Sequence, residues 1–176
     1  MRLMREAVFA LACAGVMTVG VAAAGAASPT AGAVLRNAQG AEVGTATLTE
    51  VQGGVRIVLK AQGLPPGVHA MHLHAACKCE GPEFTSAGPH FNPDAKKHGR
   101  KNPAGPHAGD LPNIQVGQDG AVTVDVVASG VNLGEGSHSL LSGAGTSLVI
   151  HAKPDDEVSD PAGNAGTRIV CGPITR

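Results

Sequence analysis

The residues best equipped for chemistry are the eight histidines, most of which fall in two stretches. His72-Leu73-His74 is a pair with one residue between. On a β-strand, residues i and i+2 project from the same face, so both rings can meet one metal ion. His90, His98, His107 and Asp110 follow in a single polar segment. Three imidazoles and a carboxylate make a closed four-donor set of the kind zinc takes up in a tetrahedron. Each of these has a plainer reading. An H-x-H pair arises readily by chance, and a lone loop histidine is usually solvated. Four donors crowded between residues 90 and 110, in a segment too polar to pack, tip the balance towards metal binding. A loose chelating surface without fixed geometry is the alternative. His151 ends the apolar run Leu148-Val149-Ile150. It is a satisfied strand-end residue unless the fold carries it to His72 and His74.

Short alternating runs must position these groups. Val55, Ile57 and Leu59 fall on one face of Val55–Lys60, and Val122, Val124 and Val126 repeat the period of two with Thr123 and Asp125 opposite. Val43–Val51 and Leu148–His151 read similarly. Asp119-Gly120 is a hairpin turn signal between Ile114–Val116 and Ala121–Val127, and Gly53-Gly54 is a weaker one before Val55. No helix-period segment follows the N-terminal region, so the pattern predicts an all-β sandwich or barrel. Residues 75–112 and 152–167 are too rich in Pro, Gly and charge to be strands. Loops of that length are usually functional or disordered, and the chemistry-capable residues in and beside them favour function.

The chain has 176 residues, enough for one domain with a core. Arg2 and Arg5 precede an apolar run from Ala7 to Ala24, and Ala24-Gly25-Ala26-Ala27 offers the small side chains a signal peptidase needs. We expect residues 1–27 to be a cleaved leader that takes Cys13 with it, and residues 28–176 to be the mature domain. An uncleaved anchor is the rival, but the run is only weakly apolar. No later segment could hold the processed chain in a membrane. This places the protein in the periplasm or outside the cell, where disulfides persist. With 13 Lys and Arg against 14 Asp and Glu, there is no charge excess to bind nucleic acid. Trp and Tyr are absent, so the core must come from Val, Leu, Ile and Ala, whose β-branched members favour strands.

At residue level the chain resembles a family. Gly67-Val68-His69-Ala70-Met71-His72-Leu73-His74 is similar to the G-x-H-G-F-H-x-H signature of the copper-zinc superoxide dismutases, and Ser86-Ala87-Gly88-Pro89-His90-Phe91-Asn92-Pro93 to their S-A-G-P-H-F-N-P block. The match runs on through Lys97-His98-Gly99, His107-Ala108-Gly109-Asp110-Leu111 and His151-Ala152-Lys153-Pro154-Asp155-Asp156. It closes with Gly163 to Gly172. The resemblance, to the secreted bacterial type, implies an eight-stranded Greek-key β-sandwich or barrel with two long functional loops. It implies copper on His72, His74, His90 and His151, and zinc on His90, His98, His107 and Asp110, with His90 shared. Arg168 would guide the superoxide anion, since a guanidinium keeps its charge and can donate hydrogen bonds. Its plainer reading is a solvated strand-end charge. Asp155 would tie a copper histidine to a zinc histidine, His69 would be structural, and His138 matches no ligand. The implied reaction turns one superoxide into dioxygen and a second, with two protons, into hydrogen peroxide. In it, His90 leaves copper and takes up a proton while staying on zinc.

The resemblance also implies a Cys79–Cys171 disulfide, because the loop cysteine of the bacterial type follows the H-x-H pair by five positions. Cys77 is then left over, as a free thiol, an intermolecular bridge or a rival partner of Cys171; with Cys79 it could also offer thiolates to Cu(I). Ala70-Met71 replaces the usual Gly-Phe, and the segment from His151 to Arg168 is shorter than in the cytosolic enzymes. Monomer and homodimer stay open. Two rival functions remain: a non-enzymatic copper buffer or chaperone of the same fold, and a zinc-stabilised interaction domain.

Overall fold

The computed structural model describes residues 28–176; the expected leader and Cys13 lie outside the described residues. Among the described residues nine strands run in chain order as β1 Thr30–Asn37, β2 Glu42–Val51, β3 Gly54–Ala61, β4 Gly67–His69, β5 Met71–His74, β6 Ile114–Val116, β7 Val122–Ser129, β8 Ser147–His151 and β9 Arg168–Pro173. Among the described residues the only helical element is a 3-10 turn, Thr85–Ala87. Strands order as β5-β8-β9-β1-β2-β3-β7 in the large sheet and β4-β6 in the small one. Every pair is antiparallel, and β9 lying between β8 and β1 gives the Greek-key crossing.

Eight strands are recovered when β4 and β5 are counted as one extended run. It changes sheets at Ala70, whose N–H donates to Lys153 O and whose carbonyl accepts from His151 N–H, both at 2.9 Å. Upstream of that point the run pairs with β6, and downstream with β8.

The alternating aliphatic residues face the core as their period requires. Val55, Ile57 and Leu59 of β3 are buried while Arg56 and Lys60 are exposed. Leu35, Leu48, Leu73, Leu148 and Ile150 complete the interior from the neighbouring strands. A fully buried aliphatic side chain is worth about 1.5–3 kcal/mol, and this aromatic-poor core depends on many of them.

The two turn signals behave differently. The β2–β3 hairpin closes on Gln52-Gly53, with Gly54 already paired to Val51. A side chain at Gly54 would sit 2.1 Å from Ala128 O, so that glycine serves strand approach. At Asp119-Gly120 the chain does reverse, closed by Gly117 N–H to Ala121 O at 2.9 Å. The flanking strands do not form a hairpin ladder, because β7 pairs along its length with β3 and β6 with β4.

Candidate metal centre

β5 is short and wholly buried, with His72 and His74 on one face. Strand β8 delivers His151, two residues beyond Val149, which pairs with His72 in the antiparallel register. The long loop 75–112 is stitched to β5 by Phe91 N–H to Leu73 O (2.8 Å) and Leu73 N–H to Gly109 O (2.9 Å), and its two limbs are joined by Gly109 N–H to Phe91 O (2.8 Å). This sets His90 beside His74 and Asp110 beside His72. The approach is possible only for glycine at 109, where a Cβ would lie 2.4 Å from Leu73 O.

Each ring of the first group has one nitrogen occupied by the protein. His72 Nε2 donates to Asp155 Oδ2 at 2.8 Å, His74 Nδ1 to Gly88 O at 2.8 Å and His151 Nδ1 to Gly166 O at 3.2 Å. The other nitrogens converge. His74 Nε2 and His151 Nε2 are 3.4 Å apart, while His72 Nδ1 and His90 Nε2 are buried without a hydrogen-bond partner. One ligand atom from each of His72, His74, His90 and His151 lies within 4.8 Å of all the others. Leaving a buried polar atom unsatisfied costs about 1–3 kcal/mol, so two such atoms in one small space fit an ion that accepts their lone pairs.

A second group shares His90 through its other nitrogen. Asp110 Oδ1 is 2.9 Å from His90 Nδ1, 3.0 Å from His98 Nδ1 and 3.3 Å from His107 Nδ1; His107 Nδ1 and His90 Nδ1 are 3.4 Å apart. A tetrahedral ion with bonds of about 2.0–2.1 Å has edges of roughly 3.3–3.4 Å, close to the longer of these separations. The backbone N–H groups of Gly99 and His107 hold Asp110 Oδ2, each at 2.9 Å, which turns Oδ1 towards the rings.

Asp155 joins the groups. Its Oδ2 receives His72 Nε2, its Oδ1 receives His98 Nε2 at 3.0 Å, and its own N–H donates to Asn113 Oδ1 at 2.8 Å. Loop 152–167 folds tightly over this carboxylate: a Cβ on Gly163 (φ +61°) would lie 1.8 Å from Asp155 Oδ1.

Electrostatics keeps the donors in ligating form. Burial pushes His74 down to about 2 and His90 and His151 to about 4, and lowers His72. The rings are therefore neutral near pH 7, with lone pairs available. Burial opposes ionisation of Asp110, but the bond from His90 and the Gly99 N–H outweigh it and hold the carboxyl at about 2. Asp155 is likewise pulled well below its ordinary range: burial is overcome by the bonds from His72 and His98.

Arg168 opens β9 opposite His151 at a register shift. Its Nη1 donates to Phe84 O and its Nη2 to Gly88 O, both at 2.6 Å. Burial lowers its pKa, but a guanidinium starts so high that it stays charged. His69 bridges two carbonyls, with Nδ1 2.8 Å from His151 O and Nε2 2.8 Å from Pro65 O, and so stays out of both groups. His138 is on the surface, 3.1 Å from Asp94. Cys79 and Cys171 form a disulfide; Cys77 is a free thiol that donates to Ile174 O at 3.4 Å. Several supports carried no sequence signal that spacing could expose: Asn113 beneath Asp155, the Gly99 N–H on Asp110, and the two carbonyls that receive Arg168.

A family model described as copper/zinc superoxide dismutase (SODC) matches residues 42–174. A relative named superoxide dismutase [Cu-Zn] 2, from Aquifex aeolicus, is 52% identical over 144 residues, covering 81% of this chain and 84% of its own. The superoxide dismutase [Cu-Zn] of Caulobacter vibrioides is 43% identical over 145 residues, covering 81% and 83%. Among solved structures, a SOD-like protein from Bacillus subtilis superposes with a TM-score of 0.78 at 40% identity, covering 80% of this chain and 95% of that one. The Cu/Zn superoxide dismutase of Brucella abortus gives 0.66 at 27% identity, covering 82% and 98%.

Proposed function

The chain belongs to the copper/zinc superoxide dismutase family, and on that footing we propose how its own residues carry out the reaction. The protein is an oxidoreductase that dismutes superoxide to dioxygen and hydrogen peroxide with copper and zinc as cofactors. The observation that carries the residue assignment is His90, which offers Nδ1 to one donor group and a buried, unpartnered Nε2 to the other.

His72, His74, His90 and His151 would hold copper, since four neutral nitrogens suit a metal that changes oxidation state. His90, His98, His107 and Asp110 would hold zinc, whose preference for a closed nitrogen and oxygen tetrahedron fits three rings and a carboxylate. Copper supplies the one-electron exchange. The protein's own groups do the rest. Asp155 fixes the tautomers of His72 and His98 by accepting from both Nε2 atoms, which aims both Nδ1 atoms at the ions. Arg168 supplies a fixed positive charge for a small anion, held in place by two backbone carbonyls. His90 Nε2 is the atom at which the chain can hold and hand on a proton within the site.

We further propose that residues 1–27 are a leader and residues 28–176 the working domain, in the periplasm or outside the cell. The Cys79–Cys171 disulfide supports an oxidising compartment, and among the described residues no helix is long and apolar enough to cross a membrane. The protein acts as a monomer or a homodimer.

The test is metal analysis of the processed protein together with superoxide turnover, before and after Arg168→Ala. We expect both metals bound, turnover in the loaded protein, and a marked loss of kcat/KM in the variant at unchanged metal content. Full loading without turnover would instead favour a copper-handling protein of this fold.

A further inference from the structure

We propose that Phe84 is a positioning residue for the reaction, acting through Arg168. Phe84 begins the 3-10 turn Thr85–Ala87, and the carbonyls at the two ends of that turn, Phe84 O and Gly88 O, are the acceptors of the two terminal nitrogens of Arg168. The turn is thus a clamp matched to the guanidinium fork. Its spacing is fixed internally, by Ala87 N–H to Phe84 O at 3.2 Å and Gly88 N–H to Thr85 O at 3.0 Å.

What holds the clamp in place is the Phe84 ring. The side chain is 2% exposed and packs in a small cluster of its own with Ala87, Val149 and Cys171, separate from the main core, with Ala38 and Cys79 against it. Phe84 is the one large side chain in that cluster. The backbone there is left-handed, at φ 54° and ψ 28°, a conformation that is rare for a bulky residue and persists only where the surroundings over-determine it. Here the ring packs with Val149 of β8 and Cys171 of β9, and Phe84 N–H is bonded to Glu80 O at 3.1 Å. Burial of the ring therefore sets where the Phe84 carbonyl points, and that oxygen sets where the Arg168 charge sits. Gly88 O also accepts from His74 Nδ1, so an effect of Phe84 carried by His74 instead of Arg168 would persist once Arg168 is removed.

This inference rests on the reading of Arg168 as the anion-facing residue, and a double-mutant cycle separates the two. In the copper- and zinc-loaded protein, we expect Phe84→Ala to lower kcat/KM for superoxide by about 10-fold or more, the scale on which misplacing a positioned group acts, at unchanged metal content. Phe84→Leu should restore most of it, and Phe84→Gly, which relieves the backbone but removes the ring, should not. In an Arg168→Ala background Phe84→Ala should change kcat/KM less than about 2-fold, because its effect passes through the guanidinium. An equal fold-loss in both backgrounds, or no loss in the folded single variant, overturns the role of Phe84 while leaving that of Arg168 intact. Should Phe84→Ala fail to fold, Phe84→Leu against Phe84→Val in both backgrounds decides by the same criterion. If Arg168→Ala itself leaves turnover unchanged, both readings fall.

Discussion

His72 Nε2 lies 2.8 Å from Asp155 Oδ2, with the two side chains 0% and 1% exposed. The same carboxylate reaches His98 through its other oxygen. It is the one group that orients a ring in each donor set without belonging to either. Replacing Asp155 with Ala should therefore weaken binding at both sites, by about 10–100-fold on the usual scale for such supporting groups. Chelator competition for zinc and for copper checks this; a loss confined to one metal would show that the two rings are oriented independently.

The metal-free protein should be acid-labile in a definite window. Histidines in an unfolded chain titrate near 6.5, whereas burial holds His90 and His151 at about 4 in the fold. Between those values the unfolded chain takes up protons that the folded rings refuse, so stability is intact above about pH 6.5 and falls as the pH drops towards 4. His74, at about 2, extends the decline below that. Thermal midpoints of chelator-treated protein should drop steadily from pH 7 to 4.5; a flat profile would mean the rings protonate without unfolding.

Gly109→Ala should detach the long loop. The new methyl would meet Leu73 O at 2.4 Å and Phe91 N at 3.0 Å, both backbone atoms of the stitches that place His90 and Asp110. We expect lost zinc retention and a destabilisation of about 1–3 kcal/mol or more, the range for overpacked positions, measured by denaturant titration. Wild-type zinc affinity would show that the loop docks without those bonds.

The cysteines should separate cleanly. Cys79 and Cys171 are 92 positions apart, and the chain-entropy view of so long a loop gives about 4–5 kcal/mol as an upper figure. Cys171→Ser should lose a large part of it. Cys77→Ser should leave the disulfide intact and change stability by less than about 1 kcal/mol, as judged by thiol titration and unfolding curves.

Much of this was legible in the residues. The alternating aliphatic residues of β3 and β7 marked both strands and their buried faces, because a period of two survives any topology. The donors stood out because metal chemistry restricts residue types. What spacing could not disclose was who meets whom. His151 is 77 positions from His74, and only the β5–β8 pairing brings their nitrogens to 3.4 Å. The sheet exchange at Ala70 was hidden because both halves of that run look like one strand. The supports supplied by backbone, such as Gly88 O and the Gly99 N–H, leave no trace in side-chain type at all. Asp119-Gly120 signalled its turn correctly, but a turn says nothing about which neighbours its strands will choose.

The stitching of residues 90 to 110 onto a single strand edge sets an order of assembly. All four donors of that set lie on one loop docked on β5, and only the supports to His98 from Asp155 and Asp160 come from later in the chain. The other must wait for β8, more than seventy residues downstream of β5, to arrive and dock. During folding the zinc-type cradle can thus close first and hand a prealigned His90 to a redox site completed last.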